Sequence, residues 1–114
     1  MTLSAVSEST LWTLQAITGT TAYTSPVITM DRMKAVSILL TTVSTATGTA
    51  KLQGSVDGTT FVDLANSGQT ANLSVTAAGS YYWNLADIAF KQLRVVYTNA
   101  TNSGTISGKW FAKQ

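Results

Sequence analysis

Groups able to move protons or hold metal ions are few in this chain. It has five carboxylates, Glu8, Asp31, Asp57, Asp63 and Asp87, and neither His nor Cys. Without imidazole or thiol, the usual general bases and thiol nucleophiles are missing. A glycosidase-type carboxylate pair would have to be drawn from separate loops and strands, with no motif to set the separation that chemistry needs. Asp57 and Asp63 in "DGTTFVD" lie six residues apart. Calcium takes carboxylate and carbonyl oxygens from loops, but a dedicated calcium loop carries a denser ladder of Asp and Asn. The chain therefore reads as a non-enzyme with no catalytic, metal or cofactor site, and Asp57 reads as a turn residue.

Aromatic side chains are the other possible source of function. Tyr23, Tyr81, Tyr82, Trp12, Trp83 and Trp110 could stack on sugar rings while Asn or Gln amides bind hydroxyls. Aromatics at alternate strand positions more often belong to the core, and Tyr81 with Trp83 fits that pattern. Tyr82 should point the other way, so Tyr82 and Trp12 are the candidate glycan platform.

The elements that position these residues are strands. No window keeps the apolar i, i+3, i+4, i+7 spacing of a helix, and Thr, Val, Tyr and Ser dominate where helix formers would be needed. Candidate strands are 10–17, 26–30, 34–44, 49–56, 60–64, 71–75, 80–85, 92–98 and 104–112. Between them lie "TGTT", "TATG", "DG", "NSGQ", "AAGS" and "NATNSG", clusters that favour turns. Eight or nine short strands with such spacing predict an all-β chain, a single antiparallel β-sandwich of jelly-roll-like form over residues 10–114, with a small closed barrel as the alternative. Residues 1–9 have no place in that core and are assigned to an N-terminal arm lying on a neighbouring subunit.

Alternation assigns the faces. Leu93, Val95 and Tyr97 share one side of their strand, and Arg94, Val96 and Thr98 the other. "AVSILLTTV" is apolar on both sides, with Val36, Ile38 and Leu40 opposite Ala35, Leu39 and Val43. Such a strand is covered twice or carries an exposed patch that wants a partner. In the last strand Ile106 and Trp110 face inward and Phe111 outward. In "LQGSVDGTTFVDL", a loop of Asp57, Gly58 and Thr59 pairs Leu52 with Leu64 and Val56 with Thr60, and turns Phe61 and Asp63 to the other face.

Composition narrows the class. At 114 residues and 12.0 kDa the chain suits one domain. Only 11% of residues are charged, against about a quarter in ordinary soluble domains. A surface rich in Thr and Ser and poor in charge suits a protein that lives against other protein. The seven basic residues are scattered, and the net charge is +2. Nucleic-acid binding needs clustered phosphate contacts, so none is expected. No apolar run approaches the roughly 18 residues of a membrane span, and the N-terminus has no signal-peptide pattern, so neither membrane nor classical export is expected. The sequons at Asn72 and Asn99 are read as chance matches.

The segment from Leu52 to Gly108 resembles small β-sandwich proteins of tailed bacteriophages, above all capsid decoration, or cement, proteins. The resemblance rests on "GSVDGTTFVDL", "VTAAGSYYWNL" and "KQLRVVYTNATNSGTISGKW" in that order. It implies a rigid module, often a homotrimer, bound to the major capsid protein on the outside of the head and stabilising the lattice. The virion surface would be its location after synthesis in the host cytoplasm. Interface residues expected on this reading are Thr2, Leu3, Val6, Leu39, Val43, Phe61 and Phe111. The DG hairpin and the Arg-bearing strand also resemble discoidin or galactose-binding-like jelly rolls, whose cysteines and apolar loop spikes this chain lacks. A carbohydrate-binding or adhesion module of a tail or fibre is the alternative function. A major coat subunit fits less well, since no basic surface would face a genome.

Overall fold

The computed structural model of the chain describes residues 6–30, 33–43, 45–67 and 70–114. Ten strands follow one another: β1 (Val6–Ile17), β2 (Ala22–Thr24), β3 (Ile28–Thr29), β4 (Ala35–Val43), β5 (Thr47–Ser55), β6 (Val62–Asp63), β7 (Leu73–Val75), β8 (Gly79–Leu85), β9 (Gln92–Thr101) and β10 (Gly104–Lys113). One 3₁₀ turn, Leu64–Ser67, follows β6. All pairings are antiparallel. The first sheet has four strands in the order β1-β10-β4-β8. The second has six, with β9 and β5 at its centre, β2 and β3 along the free side of β9, and β6 and β7 along the free side of β5. The fold is thus the expected all-β sandwich.

Alternation explains the core. Val36, Ile38 and Leu40 of β4, Leu93, Val95 and Tyr97 of β9, and Ala50 and Leu52 of β5 are all buried between the sheets, with Ile106, Trp83 and Leu64. Outward neighbours in the same strands are half-buried or exposed, so strand periodicity selects the buried set. Gly54 belongs to the inward set because the Phe90 ring occupies the place of its side chain, 2.7 Å from where a Cβ would sit.

Buried polar groups are joined to one another. The Tyr97 hydroxyl donates to Asn99 Oδ1 (3.1 Å), and Asn99 Nδ2 donates to the carbonyls of Gly19 (2.8 Å) and Asn102 (2.7 Å). Burial raises the Tyr97 phenol above its ordinary pKa. Trp83 Nε1 donates to the Ala71 carbonyl at 2.9 Å. Asn99, the acceptor of one sequon, is 1% exposed, so this fold leaves no room for a glycan there.

Strand β1 departs from expectation in two ways. Residues 6–9, assigned to the arm, form its first part: Val6 pairs with Lys113, Ser7 with Ala112, Glu8 with Phe111 and Ser9 with Trp110. Among the described residues the sandwich therefore reaches back at least to Val6, and Thr2 and Leu3 lie outside the described residues. The ladder also shifts register between Thr10 and Trp12 and again between Trp12 and Gln15. A bulge places consecutive residues on one side, and Leu11 and Trp12 are both buried. In the second irregularity Leu14 takes φ of 47°, and its side chain stands in solvent.

The "DG" corner follows the expected register: Gln53 pairs with Asp63 and Gly54 with Val62. Pairing stops there, and residues 56–61 form an irregular loop rather than a three-residue turn. Side chains satisfy the backbone instead. Asp57 Oδ1 accepts from the N–H groups of Thr59 and Thr60, each at 2.8 Å, and from Ser55 Oγ at 3.0 Å, while Ser55 Oγ accepts from Gly58 N–H at 2.8 Å. Gly58 supplies the positive φ, 81°, that the corner requires.

Candidate interaction face

The outer face of the four-stranded sheet is built by rows of side chains across β1, β10, β4 and β8. One row runs Glu8, Phe111, Ser37, Asn84; the next runs Thr10, Lys109, Leu39, Tyr82; a third runs Ser107, Thr41, Ser80; and Thr105 with Val43 closes the face. Leu39 stands near the centre, flanked along its row by Lys109 and Tyr82. Tyr82 is 68% exposed, Val43 60%, and Leu39 and Phe111 42% each. Directly opposed side chains in adjacent strands come within contact range, and diagonal ones remain within reach of aromatic side chains. Leu39, Tyr82 and Phe111 therefore form one apolar patch, with Val43 toward its end.

Two pairs of polar residues on the face bond to each other. Ser37 Oγ donates to Asn84 Oδ1 at 2.8 Å, and the hydroxyls of Thr41 and Ser80 lie 3.3 Å apart. An open groove of ≈ 340 Å³ crosses the patch, lined by Glu8, Leu39, Tyr82, Lys109, Trp110 and Phe111 among others. Three charges, Glu8, Lys109 and, at the far end beside Ala35, Lys113, border the patch. Such a face can bury apolar area against a partner while desolvating little charge.

Three of the residues expected at an interface, Leu39, Val43 and Phe111, thus share this face, and β1 brings the backbone of Val6 to its edge opposite Lys113. Phe61 does not join them. It lies on the outer side of the six-stranded sheet, with the Arg94 guanidinium 4.0 Å from its ring centroid. Arg94 Nε donates to Gln53 Oε1 (2.8 Å), Gln53 Nε2 to Asp63 Oδ1 (2.8 Å), and Lys51 Nζ lies 3.7 Å from Asp63 Oδ2. Phe61 therefore has an intramolecular partner, and the carboxylate of Asp63 is held in a strand-face network.

The pairing of Trp12 with Tyr82 as a glycan platform is overturned. Trp12 is 7% exposed because the β1 bulge turns it into the core, whereas Tyr82 points to solvent. No simple alternation could have revealed that bulge. Asp57 is equally accounted for without a ligand: the N–H groups of Thr60 and Thr59 and the Ser55 hydroxyl hold its carboxyl below the ordinary 3.8. Among the described residues no cluster of three or more acidic side chains could hold a metal ion. No helix among them is long and apolar enough to cross a membrane.

No family model and no curated protein matches the sequence. Solved structures do resemble the fold. The PBSX exported protein XepA superposes with a TM-score of 0.71 at 16% identity, over 93% of this chain, which spans 36% of XepA's length. The SPBc2 prophage-derived protein YomS gives 0.66 at 10% identity, over 100% of this chain and 97% of that one. The tobacco streak virus coat protein gives 0.55 at 11% identity, over 97% and 85%. What these likenesses establish is the fold: this chain is a β-sandwich of the kind found in phage-derived and viral coat proteins.

Proposed function

We propose that the protein is a non-enzymatic structural component of a bacteriophage particle, and that the outer face of its four-stranded sheet docks on the major capsid protein as a head decoration module. The observation that carries this reading is the patch of Leu39, Tyr82 and Phe111, large side chains exposed together on one sheet face. Support comes from the fold shared with XepA and with YomS, the latter a prophage-derived protein. The strand order fits as well. With β2 and β3 counted as one interrupted strand and β6 and β7 as another, we read the two sheets as an eight-stranded jelly roll. Thr2 and Leu3 belong to the proposed contact as part of the N-terminal arm expected from the sequence. Self-association belongs to it too; the resemblance implies three copies, and the free edge of β8 bears on that number.

Docking on a repeated lattice lets modest contacts add up, so a patch of this size suffices without chemistry. The test is mass spectrometry of purified particles, with added protein offered to emptied, expanded heads. Stoichiometric presence and saturable attachment are expected; absence from particles overturns the proposal.

The second reading, a glycan-binding module of a tail or fibre, draws on one observation: Tyr82 is the most exposed aromatic and stands diagonal to the Ser37–Asn84 pair. Glycan binding by the isolated protein that is lost in Tyr82→Ala would favour it over docking.

A further inference from the structure

A sheet edge is a row of unpaired backbone N–H and C=O groups, and folded proteins shorten, bulge or charge their edges to keep other chains away. Most edges here are treated that way. In the six-stranded sheet the outer strands β2, β3, β6 and β7 are two or three residues long. In the four-stranded sheet β1 is broken by two register shifts and carries Glu8. The opposite edge is different. Strand β8 has seven residues, GSYYWNL, with an unbroken register to β4, no Pro and no charge. Among the described residues its backbone bonds to β4 and to nothing else.

We propose that the outer edge of β8 pairs antiparallel with β8 of a second copy about a twofold axis through Tyr82, joining the two four-stranded sheets into one. The strand is complementary to itself in that register. Ser80 lies opposite the partner's Asn84 and Tyr81 opposite the partner's Trp83, while Tyr82 meets the partner's Tyr82. Even-numbered positions pair with even-numbered ones, so the outward faces of both copies stay on the same side. The outer side then gains two Ser–Asn pairs and an aromatic pair, and no charge meets its like. A strand from another protein would gain the main-chain bonds without this match, which is why the occupant is a second copy.

The contact also lengthens the exposed row. It runs from Lys109 through Leu39 and Tyr82, then through the partner's Tyr82 to the partner's Leu39, so two apolar patches become one stripe. This holds whatever the stripe binds. A twofold contact gives dimers, where the resemblance implies trimers.

Sedimentation equilibrium of the full chain at micromolar to high micromolar concentration tests the pairing. A dimer is expected. The double variant Ser80→Lys, Asn84→Lys places like charges opposite each other twice and should weaken the dimer at least about tenfold, while Ser80→Lys, Asn84→Glu places opposite charges there and should restore it. A monomeric or trimeric wild type overturns the proposal. So does a dimer indifferent to the Lys/Lys change, or a Lys/Glu variant no better than Lys/Lys. Should the Lys/Lys variant not fold, amide exchange of the wild type decides: exchange over residues 79–85 should slow as concentration rises, and the absence of that dependence overturns the pairing.

Discussion

Leu39 and Tyr82 face one another across the β4–β8 ladder, and both leave their side chains in solvent. In a free domain such a pair has little to stabilise, so its expected effect is on attachment. Leu39→Asp puts a carboxylate between Tyr82 and Lys109. Stability should change by no more than about 0.5 kcal/mol. Attachment to expanded heads should fall roughly 30-fold, the equivalent of losing one central anchor of about 2 kcal/mol. Parallel thermal melts and head-binding isotherms separate the two effects; undiminished binding would remove this face from the proposed contact.

Asn99 is expected to matter for folding alone. Its side chain accepts from Tyr97 and donates to two loop carbonyls. Asn99→Ala leaves all three groups without it, and a loss of about 3 kcal/mol is expected from unsatisfied buried groups. Tyr97→Phe removes only the hydroxyl and should lose about 1 kcal/mol. Urea titrations should show lower midpoints with unchanged slopes.

The acid limb of stability should carry a signature of Asp57. Its carboxyl titrates below 3.8 in the folded chain because three donors converge on the ionised form. A depressed folded pKa contributes stability above the unfolded value that is lost as pH falls through the folded one. The difference in unfolding free energy between wild type and Asp57→Asn should therefore be constant above that region and shrink below 3.8. Melting temperature should be the same in EDTA and in calcium, since the carboxylate is already occupied by the turn.

Leu14 offers a test of strain. A non-glycine residue in the left-handed region costs roughly 1–2 kcal/mol, and this one recovers little by burial, being 64% exposed. Leu14→Asn, a residue that tolerates that conformation, should raise stability by about 1 kcal/mol. Unchanged or lower stability in a urea titration would show that the bulge is not strained by its side chain.

How far such features could be read in advance depended on whether they were periodic. Leu93, Val95 and Tyr97 were legible as core, and Leu39 and Phe111 as outward, because a strand alternates whatever its neighbours are. The Leu52 to Leu64 register was legible because a one-residue slip would have set Leu52 against Asp63. Trp12 misled because a bulge in β1 suspends alternation, and nothing in "STLWTL" marks the extra residue. Strand β2 was missed because Ala22–Thr24 is too short to show any period. The bare edge of β8 depends on sheet order, which lies in no local stretch of chain. Tyr82 was found as an exposed aromatic, but its place beside a free edge was not.

The pairing of β1 with β10 carries a consequence in time. The first and last strands of the sandwich lie side by side, so one of its longest ladders joins positions separated by nearly the whole sequence. Contacts of such separation form late, because the intervening chain must be ordered before they are rewarded. During synthesis β1 emerges first and waits, with Leu11, Trp12 and Ile17 uncovered, until Gly104–Lys113 has left the ribosome. A nascent chain stalled short of β10 would present those side chains and an open strand to whatever is near, making completion of Gly104–Lys113 the step that turns a sticky intermediate into a closed sandwich.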